Sequence, residues 1–148
     1  MNLSEHFTVE ELTHSDIGER KGLDNTPNAS ELANLTRLAA FLEQVKLVLG
    51  GKPVMINSAF RSKQVNDAVG SKDTSQHRVG CAADIRVPGM TPDQVVKTVI
   101  DSGIGYDQII REFDSWTHIS IPNNPKDTPR KQALIIDRQG TRNYSKKA

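Results

Sequence analysis

Three side chains near the middle of this chain have the types and the spacing that could bind a metal ion. His77 and Asp84 lie seven positions apart in the segment 75–84, and His118 follows 34 positions after Asp84. Two imidazoles and one carboxylate are donors that suit zinc, and three protein ligands leave the fourth tetrahedral position open for water. The three residues therefore predict a zinc site that is open to catalysis.

The three candidate ligands are expected on one loop and two strands. Gly80 interrupts the segment between His77 and Asp84, and this spacing does not fit a helical i, i+4 pair of ligands. The small and β-branched residues around Asp84 are typical of a short strand. In the apolar run 116–121, every second residue, including His118, lies on one face. We expect the two strands to be neighbours that direct Asp84 and His118 to one point.

Each candidate ligand alone has an ordinary structural interpretation, so the prediction depends on the set of three. A single histidine in a strand is usually a hydrogen-bonded residue, and an aspartate is often a turn or cap residue. The other two histidines, His6 and His14, are expected in solvent beside N-terminal helices. Cys81 is the one cysteine. It forms no internal disulfide, and we expect a small apolar residue that points away from the site rather than a fourth ligand.

Three separated motifs, in this order, resemble the zinc D-alanyl-D-alanine carboxypeptidase family. They are the segments 58–62, 75–84 and 112–118. This family belongs to a wider group of peptidoglycan metallopeptidases, which includes the vancomycin-resistance dipeptidases, phage L-alanyl-D-glutamate endolysins and the structurally related hedgehog signalling domain. The opening segment 3–12 is similar to the start of small phage or prophage members. The resemblance covers nearly the whole chain up to about position 121.

The resemblance implies that the three candidate ligands bind zinc and that Arg61 contacts substrate. A guanidinium has a fixed fork of donors and stays protonated, so Arg61 can hold a carboxylate or stabilise the oxyanion of a tetrahedral intermediate. Ser75 and Gln76 belong to the second motif and are predicted to orient His77 or to bind a peptide carbonyl. The chain departs from the family at Trp116, where several relatives have a histidine.

The general base is predicted at Glu112, with Asp114 as the alternative. A carboxylate beside the open position can take a proton from water and return it to the leaving nitrogen. The resistance dipeptidases have a glutamate three positions before the last zinc histidine, where this chain has Ser115, and the hedgehog domain has one six positions before, where this chain has Glu112. Alternation in 108–112 also places Glu112 beside the strand of His118, whereas Asp114 is expected to cap a turn.

Caps and periodicity predict an α+β fold. Thr8 and Asn28 are expected to begin a short and a long helix in capping boxes, and Gly50 follows the end of the long one. The order of elements indicates a small, mainly antiparallel sheet with helices on one face and the zinc cleft on the other. Further helices are expected in 62–69 and 92–102, and strands in 53–60, 82–87, 108–112, 116–121 and 132–137.

Length and composition are those of one domain, predicted over 1–148 with a short basic tail over about 138–148. The 19 basic and 18 acidic side chains leave a net charge of +1, which does not favour nucleic-acid binding. No apolar run is long enough to span a membrane, and a secretion signal is not expected at the start. The tail is expected to be solvated, and its basic residues are Arg138, Arg142, Lys146 and Lys147.

These observations and the resemblance predict a monomeric enzyme with one Zn2+ per chain that hydrolyses amide bonds in peptidoglycan stem peptides during phage-driven lysis. Cleavage of D-alanyl-D-alanine or cross-links and cleavage of L-alanyl-D-glutamate both stay open, and a free carboxylate bound by Arg61 favours the former. The enzyme is expected to be made in the host cytoplasm and to reach the periplasmic wall through a holin or in a virion. The alternative is a zinc-stabilised module that binds the wall, or builds the virion, without cutting.

Overall fold

The strands of the protein form one mixed sheet. The computed structural model describes residues 1–144. Within that range the strands are β1 (Met55–Ser58), β2 (Ala82–Arg86), β3 (Gln108–Glu112), β4 (Trp116–Ser120), β5 (Gln132–Asp137) and β6 (Gly140–Asn143). Their order in the sheet is β1-β2-β4-β3-β5-β6. Neighbouring strands are antiparallel as predicted, except that β3 and β5 are parallel, because the long connection 121–131 crosses β3 before β5 begins.

Short helices surround one long helix. They are α1 (Val9–Thr13), α2 (Asp16–Lys21), α3 (Ala29–Val48), α4 (Lys63–Ala68) and α5 (Pro92–Ser102), and a 3₁₀ turn spans Gln76–Val79. Capping boxes begin α1 at Thr8 and α3 at Asn28, as predicted. The sequence did not predict α2 or the 3₁₀ turn, since both are too short to show a hydrophobic period. No helix in the described part of the chain is long and apolar enough to cross a bilayer.

One face of the sheet packs into the hydrophobic core with α3 and α5. Ile85, Ile109 and Ile119 are fully buried there, in the same cluster as the apolar side chains of these helices. Because successive strand residues point to opposite faces, Asp84 and His118 lie on the other face. The buried side of α3 consists of Leu35, Leu38, Ala39, Phe41, Leu42 and Val45.

Gly80 allows the 3₁₀ turn to lie against α3. Its φ of +83° is in the left-handed region, and a Cβ there would lie 2.9 Å from the carbonyl oxygen of Glu31 and 3.1 Å from Leu35 Cγ. Arg78 adds an ion pair from the same turn to the Glu31 carboxylate, with N and O 2.7 Å apart. A side chain at position 80 would therefore push the turn away from α3, and the turn carries His77.

A tight turn joins β3 and β4, centred one residue earlier than the predicted turn at Asp114 and Ser115. Phe113 and Asp114 have φ values of 53° and 52°, and the Ser115 N–H donates to the Glu112 carbonyl over 3.0 Å. Positive φ at both central residues defines a type I′ turn, whose twist matches that of a two-stranded hairpin. The turn places Glu112 directly opposite Trp116 in the ladder.

The segment predicted as a basic tail begins with a strand instead. β6 pairs with β5 as a hairpin, and Arg142 donates two hydrogen bonds of 2.8 Å to the Asp137 carboxylate. The hydrogen bonds from Arg142 lower the pKa of Asp137 to about 2. β6 was missed because all of its residues are exposed and show no apolar alternation. Lys146 and Lys147 lie outside the described residues.

Candidate metal centre

The three predicted ligands come together on the face of the sheet opposite the core. Asp84 on β2 and His118 on β4 are direct partners in the antiparallel ladder. His118 Nδ1 lies 3.0 Å from Asp84 Oδ1, and His77 Nε2 lies 3.3 Å from the same oxygen. All three side chains are buried. The structure therefore supplies two imidazoles and a carboxylate directed at one point, from two strands and the 3₁₀ turn.

The separations of the donor atoms fit one metal ion. The donor atoms of His77, Asp84 and His118 all lie within 4.8 Å of one another. Tetrahedral zinc with bonds of about 2.0–2.1 Å holds its ligand atoms roughly 3.3 Å apart. The two measured nitrogen–oxygen separations are close to that value, so this donor set would accept zinc with little rearrangement.

Surrounding groups hold the ligands in the protonation states that a metal requires. His77 Nδ1 lies 2.6 Å from the carbonyl oxygen of Ala59, which can only accept, so Nδ1 carries the proton and Nε2 faces Asp84. Burial lowers the pKa of His77, although Asp84 opposes this shift. Burial alone would raise the pKa of Asp84, but His77 and His118 outweigh it and hold that pKa well below its usual value.

Arg61 lies beside the Asp84 carboxylate, at the edge of the centre. Its Nη2 is 3.7 Å from Asp84 Oδ2, and its other contacts are long, 3.4 Å to Ser58 Oγ and 3.5 Å to Asn66 Oδ1. The side chain is 15% exposed. Burial lowers the pKa of Arg61, while Asp84 and Glu112 raise it. Because no contact is a tight bidentate pair, the guanidinium keeps donors for another anion, and its contact with substrate stays a prediction.

Glu112 lies at the rim of the same face. It is the last residue of β3 and lies two positions after Ile110, on the same face of the strand. Ile110 pairs with His118 across the ladder. Burial raises the pKa of the Glu112 carboxyl and Asp84 raises it further, whereas His118, Trp116 and Arg61 lower it. A raised pKa makes this half-buried carboxyl a stronger proton acceptor than an ordinary glutamate, which suits a group that must take up a proton and return it.

Asp114 is held away from the centre. Its carboxylate accepts from Arg111 Nε over 2.7 Å, and its side chain is 68% exposed in the hairpin turn. Arg111 alternates with Ile110 and Glu112 on β3, so it belongs to the opposite face of the sheet. The geometry thus favours Glu112 over Asp114 as the general base.

Ser75 and Gln76 position the turn that carries His77. Ser75 Oγ caps the 3₁₀ turn and accepts from the His77 N–H over 3.3 Å. The Gln76 amide nitrogen lies within 3.2 Å of Asp107 Oδ2 and within 2.9 Å of both the Ile121 carbonyl and Asn123 Oδ1. These contacts favour the first predicted role of the two residues, which was to orient His77. Their contact with substrate stays a prediction.

The polar cavity beside Gln76 was not predicted from the sequence. Its volume is about 530 Å³. The Asp107 carboxylate at its wall is buried and accepts from Arg130 Nε over 3.0 Å and from Arg130 Nη2 over 2.7 Å. No short motif joins these positions, so only the fold could reveal them. The residues that line the cavity are Thr74, Gln76, Asp107, Pro122, Asn123, Asp127, Thr128 and Arg130.

Cys81 does not belong to the centre. Its side chain is fully buried, and its Sγ lies 3.7 Å from Arg37 Nη2. It is absent from both clusters of potential ligands found among residues 1–144. The second cluster, around His14, is exposed, and the two ring nitrogens of that histidine face different carboxylates. The buried centre therefore has three protein ligands and no fourth one from Cys81.

Zinc is expected to raise the melting temperature of the metal-free protein at about pH 7.5, because the three buried donors are brought together only in the folded state, so the ion binds that state preferentially. At a free zinc concentration one hundred times the Kd, the free energy of unfolding would rise by about 2.7 kcal/mol. Differential scanning calorimetry with and without zinc measures it. Asp84→Asn should remove the zinc-dependent shift, and Asp16→Asn in the exposed cluster should not. A full shift in Asp84→Asn would contradict the site.

Comparison with known proteins agrees with this geometry. Residues 5–120 match the family described as Peptidase M15, and that range contains every residue of the candidate centre. The zinc D-Ala-D-Ala carboxypeptidase of Streptomyces albus G is 34% identical over 82 residues, which cover 54% of this chain and 31% of that protein. The family match confirms the prediction of a peptidase domain. From its ligands, their spacing and the extent of the match, we conclude that this chain belongs to the peptidase M15 family.

Proposed function

We propose that the protein is a zinc-dependent peptidase that hydrolyses amide bonds in peptidoglycan stem peptides. The observation that carries this proposal is the buried cluster of His77, Asp84 and His118, with Glu112 and Arg61 on its rim. Zinc is the metal predicted from the donor types, and the spacing of the donors and the zinc carboxypeptidase relative both support it. The substrate class comes from that relative and from the family.

The residues around the centre have separate roles in this reaction. Zinc, when bound, supplies Lewis-acid chemistry that makes water more acidic and polarises a carbonyl group. Glu112 takes the proton from the attacking water and gives it to the leaving amine nitrogen. Arg61 holds a substrate carboxylate or stabilises the oxyanion that forms from the scissile carbonyl. The buried positions of the three ligands keep the centre rigid while these groups act.

A catalytic centre fits the geometry better than a closed structural one. Structural zinc sites usually have four protein ligands, and Cys81 was the candidate for the fourth. Its sulfur lies against Arg37 rather than with the other donors. This arrangement supports a peptidase over a wall-binding or virion module that only uses zinc for stability.

We favour the bond between two D-alanines, or the equivalent cross-link, over the L-alanyl-D-glutamate bond. The relative from Streptomyces albus G acts on D-Ala-D-Ala, according to its name. A terminal D-alanine presents a free carboxylate, and Arg61 retains donors for such a group. The proposed specificity depends on that pairing.

We further propose that hydrolysis serves phage-driven lysis and that the protein acts on the wall as a monomer, after release through a holin or as part of a virion. The similarity of segment 3–12 to small phage members supports the lytic role. Peptide cross-links bear the load of the wall, so cutting them would weaken it. Sedimentation velocity of the purified protein tests this oligomeric state, and a dimer would contradict the proposal of a monomer.

Glu112→Gln is expected to lower kcat by about 10²–10⁴-fold, because an amide cannot exchange the proton. Zinc content and binding to sedimented walls should stay unchanged. The zinc-loaded protein is added to purified cell walls, and the loss of turbidity is measured. Mass spectrometry of the products identifies the new termini. A sample with a chelator is the negative control.

Asp114→Asn is the matched control, since it removes a carboxylate from the same hairpin and should leave kcat nearly unchanged. Full activity in Glu112→Gln would eliminate Glu112 as the base. Intact walls after treatment with the parent protein, which still binds zinc and walls, would instead support the non-catalytic module.

Arg61→Ala is expected to lower kcat/KM by about 10–100-fold more for a stem peptide with a free terminal carboxylate than for the same peptide amidated there. The reason is the lost charge-assisted hydrogen bond. Arg86→Ala, an exposed arginine at the end of β2, is the control and should affect neither substrate. Equal losses for both peptides would show that Arg61 does not read the terminal carboxylate.

Cells that express the protein together with a holin are expected to lyse, because the holin opens a path from cytoplasm to wall. Culture density and viable counts measure lysis. Cells with the holin and the Glu112→Gln variant should remain intact for longer. Identical lysis with the parent and the variant would argue against a lytic role.

A further inference from the structure

Trp116 is the single tryptophan of the chain and lies directly opposite Glu112. Its indole N–H is buried and has no hydrogen-bond partner among residues 1–144. A buried N–H without a partner is unfavourable, so such a group usually lies near an acceptor that it can reach. Glu112 faces Trp116 across the ladder, and the indole lowers the pKa of its carboxyl.

The hairpin holds the two side chains together. Phe113 and Asp114 are the two central residues of the turn, and the Ser115 N–H closes it on the Glu112 carbonyl. Side chains that face each other across an antiparallel pair have Cβ atoms about 4.5–5.5 Å apart. At that separation the long Glu112 side chain is within reach of the indole.

Without a fixed donor, charges would draw the Glu112 carboxylate away from this position. Asp84 repels it, and Arg61 attracts it. A direct pair between Glu112 and Arg61 would occupy the groups intended for water and for substrate. The indole N–H is a donor that does not titrate, so it can hold the carboxylate apart from Arg61 throughout a proton transfer.

We propose that Trp116 is a positioning residue whose indole N–H donates to the Glu112 carboxylate and keeps it directed at the open side of the metal centre. The contact is inferred from the pairing of the two residues and from the unpartnered indole N–H, and its value for catalysis rests on the proposed function. Trp116 acts through Glu112 and touches neither metal nor reacting atoms.

The single tryptophan makes the contact measurable. An amide correlation spectrum of the 15N-labelled, zinc-loaded protein contains one indole N–H resonance, which a hydrogen bond to a carboxylate moves downfield. Glu112→Ala should move this resonance upfield, and Glu112→Gln should move it part of the way. Asp114→Asn, in the same turn, should leave it in place. An indole resonance that is the same in the parent and in Glu112→Ala would overturn the proposal.

Kinetics test whether the contact positions the base. Trp116→Phe keeps the ring and removes the N–H, and we expect kcat to fall about tenfold or more with KM within about twofold and zinc content unchanged. In the Glu112→Ala background the same substitution should have almost no further effect. An unchanged kcat in Trp116→Phe, or an equal loss in both backgrounds, would overturn the positioning role. A parent protein without hydrolysis would overturn the proposed function, while the indole resonance would still decide the contact.

Discussion

The Asp84 carboxylate is the group around which the site is organised. It is buried, and a buried charge is unfavourable unless oppositely charged or hydrogen-bonding groups surround it. Its Oδ1 faces His77 and His118, and its Oδ2 faces Arg61. One oxygen is thus directed to the metal position and the other to the cation on the rim. The same carboxylate therefore organises both the ligands and the group proposed to bind substrate.

The fold achieves this with two different kinds of support. The ladder between β2 and β4 sets Asp84 and His118 opposite each other, so their separation depends on strand register alone. His77 comes from outside the sheet, and its position depends on the packing of the 3₁₀ turn against α3 and on the hydrogen bond to Ala59. Gly80 is the residue that permits this packing. The centre is thus rigid on the strand side and depends on tertiary contacts on the other.

The two charged side chains on the rim, Arg61 and Glu112, lie on opposite sides of the candidate centre. Arg61 follows β1, whereas Glu112 ends β3, and the strands that carry Asp84 and His118 lie between β1 and β3 in the sheet order. The two side chains have opposite charges and attract each other, so a productive site must keep them apart. The hydrogen bond that we propose from the Trp116 indole, on the neighbouring strand, would do this. In that proposal the separation of Glu112 from Arg61 depends on the hairpin rather than on either residue alone.

The sequence by itself determined the ligand types, the capping boxes, the strands of the site and the turn after Glu112, because these depend on local periodicity and residue chemistry. Tertiary structure alone decided the distance of His77 from Asp84, the direction of Cys81 toward Arg37, and the network of Gln76, Asp107 and Arg130. These contacts join distant segments, and no local pattern encodes the distance between such segments. β6 was also missed, because an exposed edge strand needs no apolar alternation and is formed by pairing with β5.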